Sequence, residues 1–125
     1  MPDISPVVCV VDDDPSVRKS LVRLLESSGF EVNGFSEPSA FLEHLTAHSV
    51  AVVILDIWMD NMTGMELLAH LCARSPNTRV IFITAHEDRA AKATVMQAGA
   101  FAFFTKPFDN KCFLAAVRDA FAHTP

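Results

Sequence analysis

The chain has 125 residues, half of them apolar, enough for one domain whose core needs no disulfide or structural metal. Ten basic against fifteen acidic residues give a net charge of -5, which disfavours nonspecific binding to a phosphate backbone. Three widely spaced cysteines, Cys9, Cys72 and Cys112, exclude a disulfide framework and a C-x-x-C zinc site. The apolar runs are too short to cross a bilayer and Met1-Pro2-Asp3 does not open a signal peptide, so a cytoplasmic chain with no membrane partner is expected.

Val7 to Val11 is an unbroken apolar run ending on Asp12-Asp13-Asp14, the pattern of a strand buried on both faces. Asp14 can cap a helix that starts at Pro15, carries Val17, Leu21, Leu24 and Leu25 at helical spacing and stops at Gly29. A short strand is expected over Phe30 to Phe35, and Ser36-Glu37-Pro38-Ser39 opens a helix through Phe41, Leu42 and Leu45. Val50 to Leu55 is the most apolar stretch and ends on Asp56. Gly64 to Ala73 supplies a helix that Pro76-Asn77 breaks, and strand Val80 to Ile83 ends at Thr84. Glu87-Asp88 precede a helix through Ala98 that stops at Gly99. Phe101 to Phe104 form a fifth strand before Lys106-Pro107, and Asp109 caps a last helix, Lys111 to Ala122.

Five strands alternating with five helices on short connections predict an α/β domain with a doubly wound, five-stranded parallel sheet covered on both faces. Such sheets bind ligands at the carboxyl ends of their strands. Asp12, Asp13, Asp56, Thr84 and Lys106 all fall there, although each alone has a plainer account as a cap, a loop acid, a strand-end threonine or a surface lysine. Clustered carboxylates repel unless a cation neutralises them. Few all-oxygen ligands suit Mg²⁺ or Mn²⁺ better than a Ca²⁺ cage, and the Ca²⁺ loop pattern fails because Asn61 and Leu67 stand where Gly and Glu are needed. A metal beside a carboxylate, a hydroxyl and an ammonium makes a phosphoryl site.

Asp12-Asp13, Asp56 with Met59 and Gly64, Thr84-Ala85 and Lys106-Pro107, in this order and spacing, resemble the receiver domains of two-component response regulators from Val7 to about Ala122. Val11-Asp12-Asp13-Asp14, Ser16-Val17-Arg18, Gly29-Phe30 and Thr105-Lys106-Pro107-Phe108 look most like the FixJ-type branch. The resemblance implies a flavodoxin-like strand order 2-1-3-4-5 and residues 1–125 as one receiver domain. It also implies a C-terminal DNA-binding effector domain outside this chain, with Ala122-His123-Thr124-Pro125 reading as the start of a linker. Asp56 would accept a phosphoryl group from a sensor histidine kinase, the domain catalysing only its own phosphorylation and dephosphorylation. Mg²⁺ would be held by Asp13, Asp56 and the Trp58 carbonyl, with Asp12 acting through water, while Thr84 and Lys106 would bind phosphoryl oxygens. Thr84 and Phe103 stand at the switch positions, although Phe103 reads equally well as packing. Small Ala85 leaves access to the phosphoryl group, and Trp58 and His86 occupy positions that tune its hydrolysis. Phosphorylation would drive homodimerisation through the fourth helix and fifth strand, DNA being reached only through the effector domain. The Lys106-Pro107 bond is expected to be cis. One departure is Asp60, where the family usually has Pro, which puts loop geometry and metal affinity in question.

A rival from another class is a haloacid-dehalogenase-type phosphatase, since Asp12-Asp13-Asp14 after an apolar strand nearly spells its D-x-D motif, with Asp12 as nucleophile. That reading leaves Asp56 without its main role, and Ser16 replaces the usual Thr or Val. A receiver-like module serving only for docking is a third reading, disfavoured because every expected site residue is present.

Overall fold

Residues 7–59 and 62–123 are described by the computed structural model. Asp60, expected to alter the metal loop, and the linker-like Thr124-Pro125 lie outside the described residues. The β-branched run predicted for the first strand forms β1 (Val7–Val11), and Val8 to Val11 are fully buried. Helix α1 (Pro15–Ser27) follows, and Asp14 Oδ1 accepts the amides of Ser16 and Val17, the capping role read from the sequence. The remaining elements are β2 (Glu31–Phe35), α2 (Pro38–Leu45), β3 (Val52–Asp56), α3 (Gly64–Arg74), β4 (Arg79–Thr84), α4 (Arg89–Gln97), β5 (Ala102–Thr105) and α5 (Asn110–Ala122).

All four strand pairings are parallel and the order is β2-β1-β3-β4-β5, as expected. The chain therefore reverses its winding direction between β1 and β3, the place where open α/β sheets carry their ligands. Alternation along the central strands sends Val53, Leu55 and Phe82 into one core layer with Phe41, Leu67 and Leu71. Val8, Val10, Ile54 and Ile81 enter the opposite layer with Leu21, Leu25, Phe113 and Val117. Burial on both faces fixes the register, because a slip of one residue would exchange the two sets.

Element boundaries moved by one or two residues. The central strand starts at Val52 rather than Val50, whose carbonyl instead accepts the buried Thr78 hydroxyl at 2.6 Å. Strand β5 starts at Ala102, Phe101 donating its amide to the Val80 carbonyl at 2.8 Å as the chain enters the sheet. A capping box between Thr63 and Glu66 starts α3, a signal the sequence reading passed over.

Candidate functional site

Each site residue owes its position to a strand that ends at the same edge of the sheet, β1, β3 and β4 being buried and β5 half-buried. Asp12 follows β1 directly, and its amide extends the ladder to the Phe35 carbonyl at 3.1 Å. Asp56 closes β3, paired in register with Ile83. Thr84 closes β4 and pairs with Thr105. Lys106 follows β5 and donates its amide to the Thr84 carbonyl at 2.9 Å. The Lys106-Pro107 bond is cis.

Asp12, Asp13 and Asp56 each bring a carboxylate oxygen within 4.8 Å of the others. Asp12 is only 1% exposed, and its Oδ1 accepts the Asp14 amide at 2.9 Å. Burial, more than any neighbouring charge, raises its pKa, opposed by that hydrogen bond and by the Lys106 ammonium. Asp56 is pushed up to about 6, by burial first and by the Asp12 charge second, with the Trp58 amide and Lys106 acting the other way. One oxygen of Asp56 accepts the Trp58 amide at 3.3 Å. The ammonium thus compensates only part of the negative charge collected here. Three carboxylates crowded onto one edge, two of them titrating high for want of solvation, are a donor set that fits a hard divalent cation keeping several waters.

Thr84 is 1% exposed, and its hydroxyl accepts the His86 amide at 3.4 Å. Strand register puts Phe103 opposite Phe82, two residues before Thr84, so Thr84 and Phe103 are diagonal neighbours on one sheet face. Phe103 is half-buried against that core layer, so the packing role holds in this structure. Trp58 lies 49% exposed beside the nucleophile candidate, while Ala85 and His86 are exposed in the following loop.

Gly64 shows why the loop after Asp56 needs a glycine. Its amide donates to the Ile57 carbonyl at 2.7 Å, and a Cβ there would overlap the Asp56 carbonyl oxygen and lie 2.8 Å from Phe82 Cε1. Sequence reasoning treated Gly64 only as a helix start and a family marker. It took Arg18 only as part of the FixJ-like Ser16-Val17-Arg18 segment and gave it no contact, whereas Arg18, one turn into α1, donates from Nη1 to the Asp12 carbonyl at 2.7 Å.

A doubly wound parallel sheet with an acidic carboxyl edge, a buried threonine and a lysine joined by a cis bond to the proline that follows it defines a phosphoacceptor class of α/β signalling domain. The chain belongs to the response regulator receiver domain family, which matches residues 8–118. It is 41% identical over 118 residues to the transcriptional regulatory protein FixJ of Azorhizobium caulinodans, covering 94% of this chain and 56% of that protein. It is 35% identical over 125 residues to the response regulator protein TmoT of Ectopseudomonas mendocina, covering 100% of this chain and 57% of that one. The chain therefore spans little more than half the length of these relatives. Among solved structures, that of FixJ-N superposes with a TM-score of 0.88 at 36% identity, covering 98% of this chain and 97% of that chain. The beryllofluoride-activated NtrC4 receiver domain dimer superposes with a TM-score of 0.90 at 28% identity, covering 96% and 99%.

The phosphatase alternative finds no support. The matched family is the receiver family, and Asp12, its required nucleophile, is buried with an oxygen committed to the Asp14 amide.

Proposed function

We propose that this domain accepts a phosphoryl group on Asp56 from the phosphohistidine of a sensor kinase and thereby switches the output of a transcriptional regulator. The observation that carries the reading is the convergence of the Asp12, Asp13 and Asp56 carboxylates at the edge where Lys106 also acts on Asp12 and Asp56. Asp13, Asp56 and the Trp58 carbonyl would hold Mg²⁺ or Mn²⁺ directly, with Asp12 acting through water. When bound, the ion supplies charge neutralisation for both the acidic cluster and the transferred group. Asp56 attacks the phosphorus, the N–P bond breaks as the O–P bond forms, and the imidazole leaves and takes up a proton. Lys106 and the Thr84 hydroxyl bind the phosphoryl oxygens, and Ala85 leaves room for them. Catalysis by the domain extends only to its own phosphorylation and dephosphorylation. Trp58 and His86 flank the path of the hydrolytic water.

Phosphorylation adds charge and acceptor oxygens where Thr84 can reach them, and Phe103 on the same sheet face fills the space it leaves. This reshapes the face of α4 and β5 that bears Arg89, Lys92 and Phe103, through which the phosphorylated domain forms a homodimer. The dimeric state of the activated NtrC4 receiver favours this reading. A C-terminal effector domain beyond this chain would make the DNA contact, and the cytoplasm is where kinase and regulator would meet.

Incubation with Mg²⁺ and acetyl phosphate, followed by mass spectrometric mapping, tests the acceptor. Modification of Asp56, lost in Asp56→Asn, is the expected result. Labelling that survives Asp56→Asn unchanged, or that maps to Asp12, would overturn the proposal.

A further inference from the structure

Asp12 is held from three directions. Its amide donates to the Phe35 carbonyl, its Oδ1 accepts the Asp14 amide, and its carbonyl accepts Arg18 Nη1 at 2.7 Å. The third of these bonds differs from the others in kind. The first belongs to the β1–β2 ladder and the second to the loop itself, whereas the Arg18 bond ties the loop to a helix side chain. The Asp12 carbonyl lies in the peptide plane that leads into Asp13, so whatever fixes that carbonyl fixes the plane and the direction in which Asp13 leaves it. The bond is charge-assisted and partly buried, the stronger kind of hydrogen bond.

The stem of Arg18 also packs on the sheet. Arg18 crosses β2 at Gly34, where a Cβ would meet Arg18 Cδ at 3.4 Å and Cγ at 3.5 Å.

We infer that Arg18 is a positioning residue for the cation site, orienting the Asp12-Asp13 peptide so that Asp13 faces Asp56. The inference rests on the metal-site reading above and names a residue which that reading does not include. It makes a prediction of unusual sign. An arginine near a cation site opposes the cation by like charge, so removing it should tighten Mg²⁺ binding if charge is all it contributes. If it orients the ligands, removing it should weaken binding despite that relief.

The test compares wild type, Arg18→Met, which keeps the stem, and Asp13→Asn by Mg²⁺ titration followed through Trp58 fluorescence. A metal-free readout runs in parallel, hydrogen exchange of the Asp14 amide, whose acceptor is Asp12 Oδ1. Arg18→Met should raise the Mg²⁺ Kd about tenfold, the usual scale for loss of a group supporting a ligand. The Asp14 amide should exchange faster, while the melting transition stays cooperative. Tighter or unchanged Mg²⁺ binding in Arg18→Met, with Asp13→Asn weakened, would overturn the positioning role and leave the metal site standing. Unchanged binding in Asp13→Asn would overturn the metal-site reading itself. An unchanged Asp14 exchange rate in Arg18→Met would overturn the inference on its own.

Discussion

Asp56→Asn should stabilise the protein while abolishing its phosphorylation. Asp56 titrates at about 6 because burial and the Asp12 charge disfavour its carboxylate, against an ordinary value of about 4. Keeping it ionised at neutral pH therefore costs at most about 3 kcal/mol. The carboxylate is only partly buried, and solvent screening brings the expected gain from Asn to about 1–2 kcal/mol. With a urea slope of about 2 kcal/mol per M, the midpoint should rise by about 0.5–1 M in Mg²⁺-free buffer at pH 7.5. The sign with pH follows from linkage. The folded state holds its proton to a higher pH than the unfolded chain, so wild type loses stability as pH rises from about 4 to 6 and no more above that. The difference between variant and wild type should accordingly be small at pH 4, grow through pH 6 and level off. Saturating Mg²⁺ should shrink it by stabilising wild type. An Asn variant no more stable than wild type at pH 7.5, or a gain that is the same at pH 4, would refute the claim that Asp56 is an electrostatically strained carboxylate.

Gly64→Ala should destabilise by about 1–3 kcal/mol and slow phosphorylation, because the new methyl group overlaps the Asp56 carbonyl and Phe82 and pushes α3 from the loop. Denaturant titration and acetyl phosphate labelling check both effects. Thr84→Ala should still accept phosphate at Asp56 yet dimerise poorly, since it removes the relay and keeps the nucleophile. Sedimentation with and without phosphodonor decides, equal dimerisation of the two phosphorylated proteins counting against the relay. Burial pushes the Cys9 thiol up to about 11, so at pH 8 an alkylating reagent should label exposed Cys72 and Cys112 and leave Cys9 intact until the protein unfolds. Equal labelling of all three thiols in the native protein would contradict the packing of β1.

The fold and the main site residues were readable in the sequence for a common reason. A strand buried on both faces leaves an uninterrupted apolar run, and a polar residue at its end is then located in space as well as in the chain. Asp12, Asp56 and Thr84 each follow such a run, Lys106 follows the half-buried edge strand β5, and parallel strands bring their carboxyl ends to one edge. Asp14 and Asp109 were legible as caps because capping is local, settled within three residues.

Contacts between elements left no such trace. Nothing in the order of residues says that Arg18 reaches across Gly34 to the carbonyl of Asp12, because that bond depends on how α1 lies over β2. The raised pKa of Asp56 likewise comes from burial and from Asp12, a residue 44 positions away just past the end of a neighbouring strand. Chain order determined which side chains reach the edge of the sheet, through periodicity and local hydrogen bonding. Tertiary packing alone decided how closely the carboxylates approach, how much water they keep and which side chain holds their loop, since desolvation and through-space charge depend on distances that the sequence does not contain.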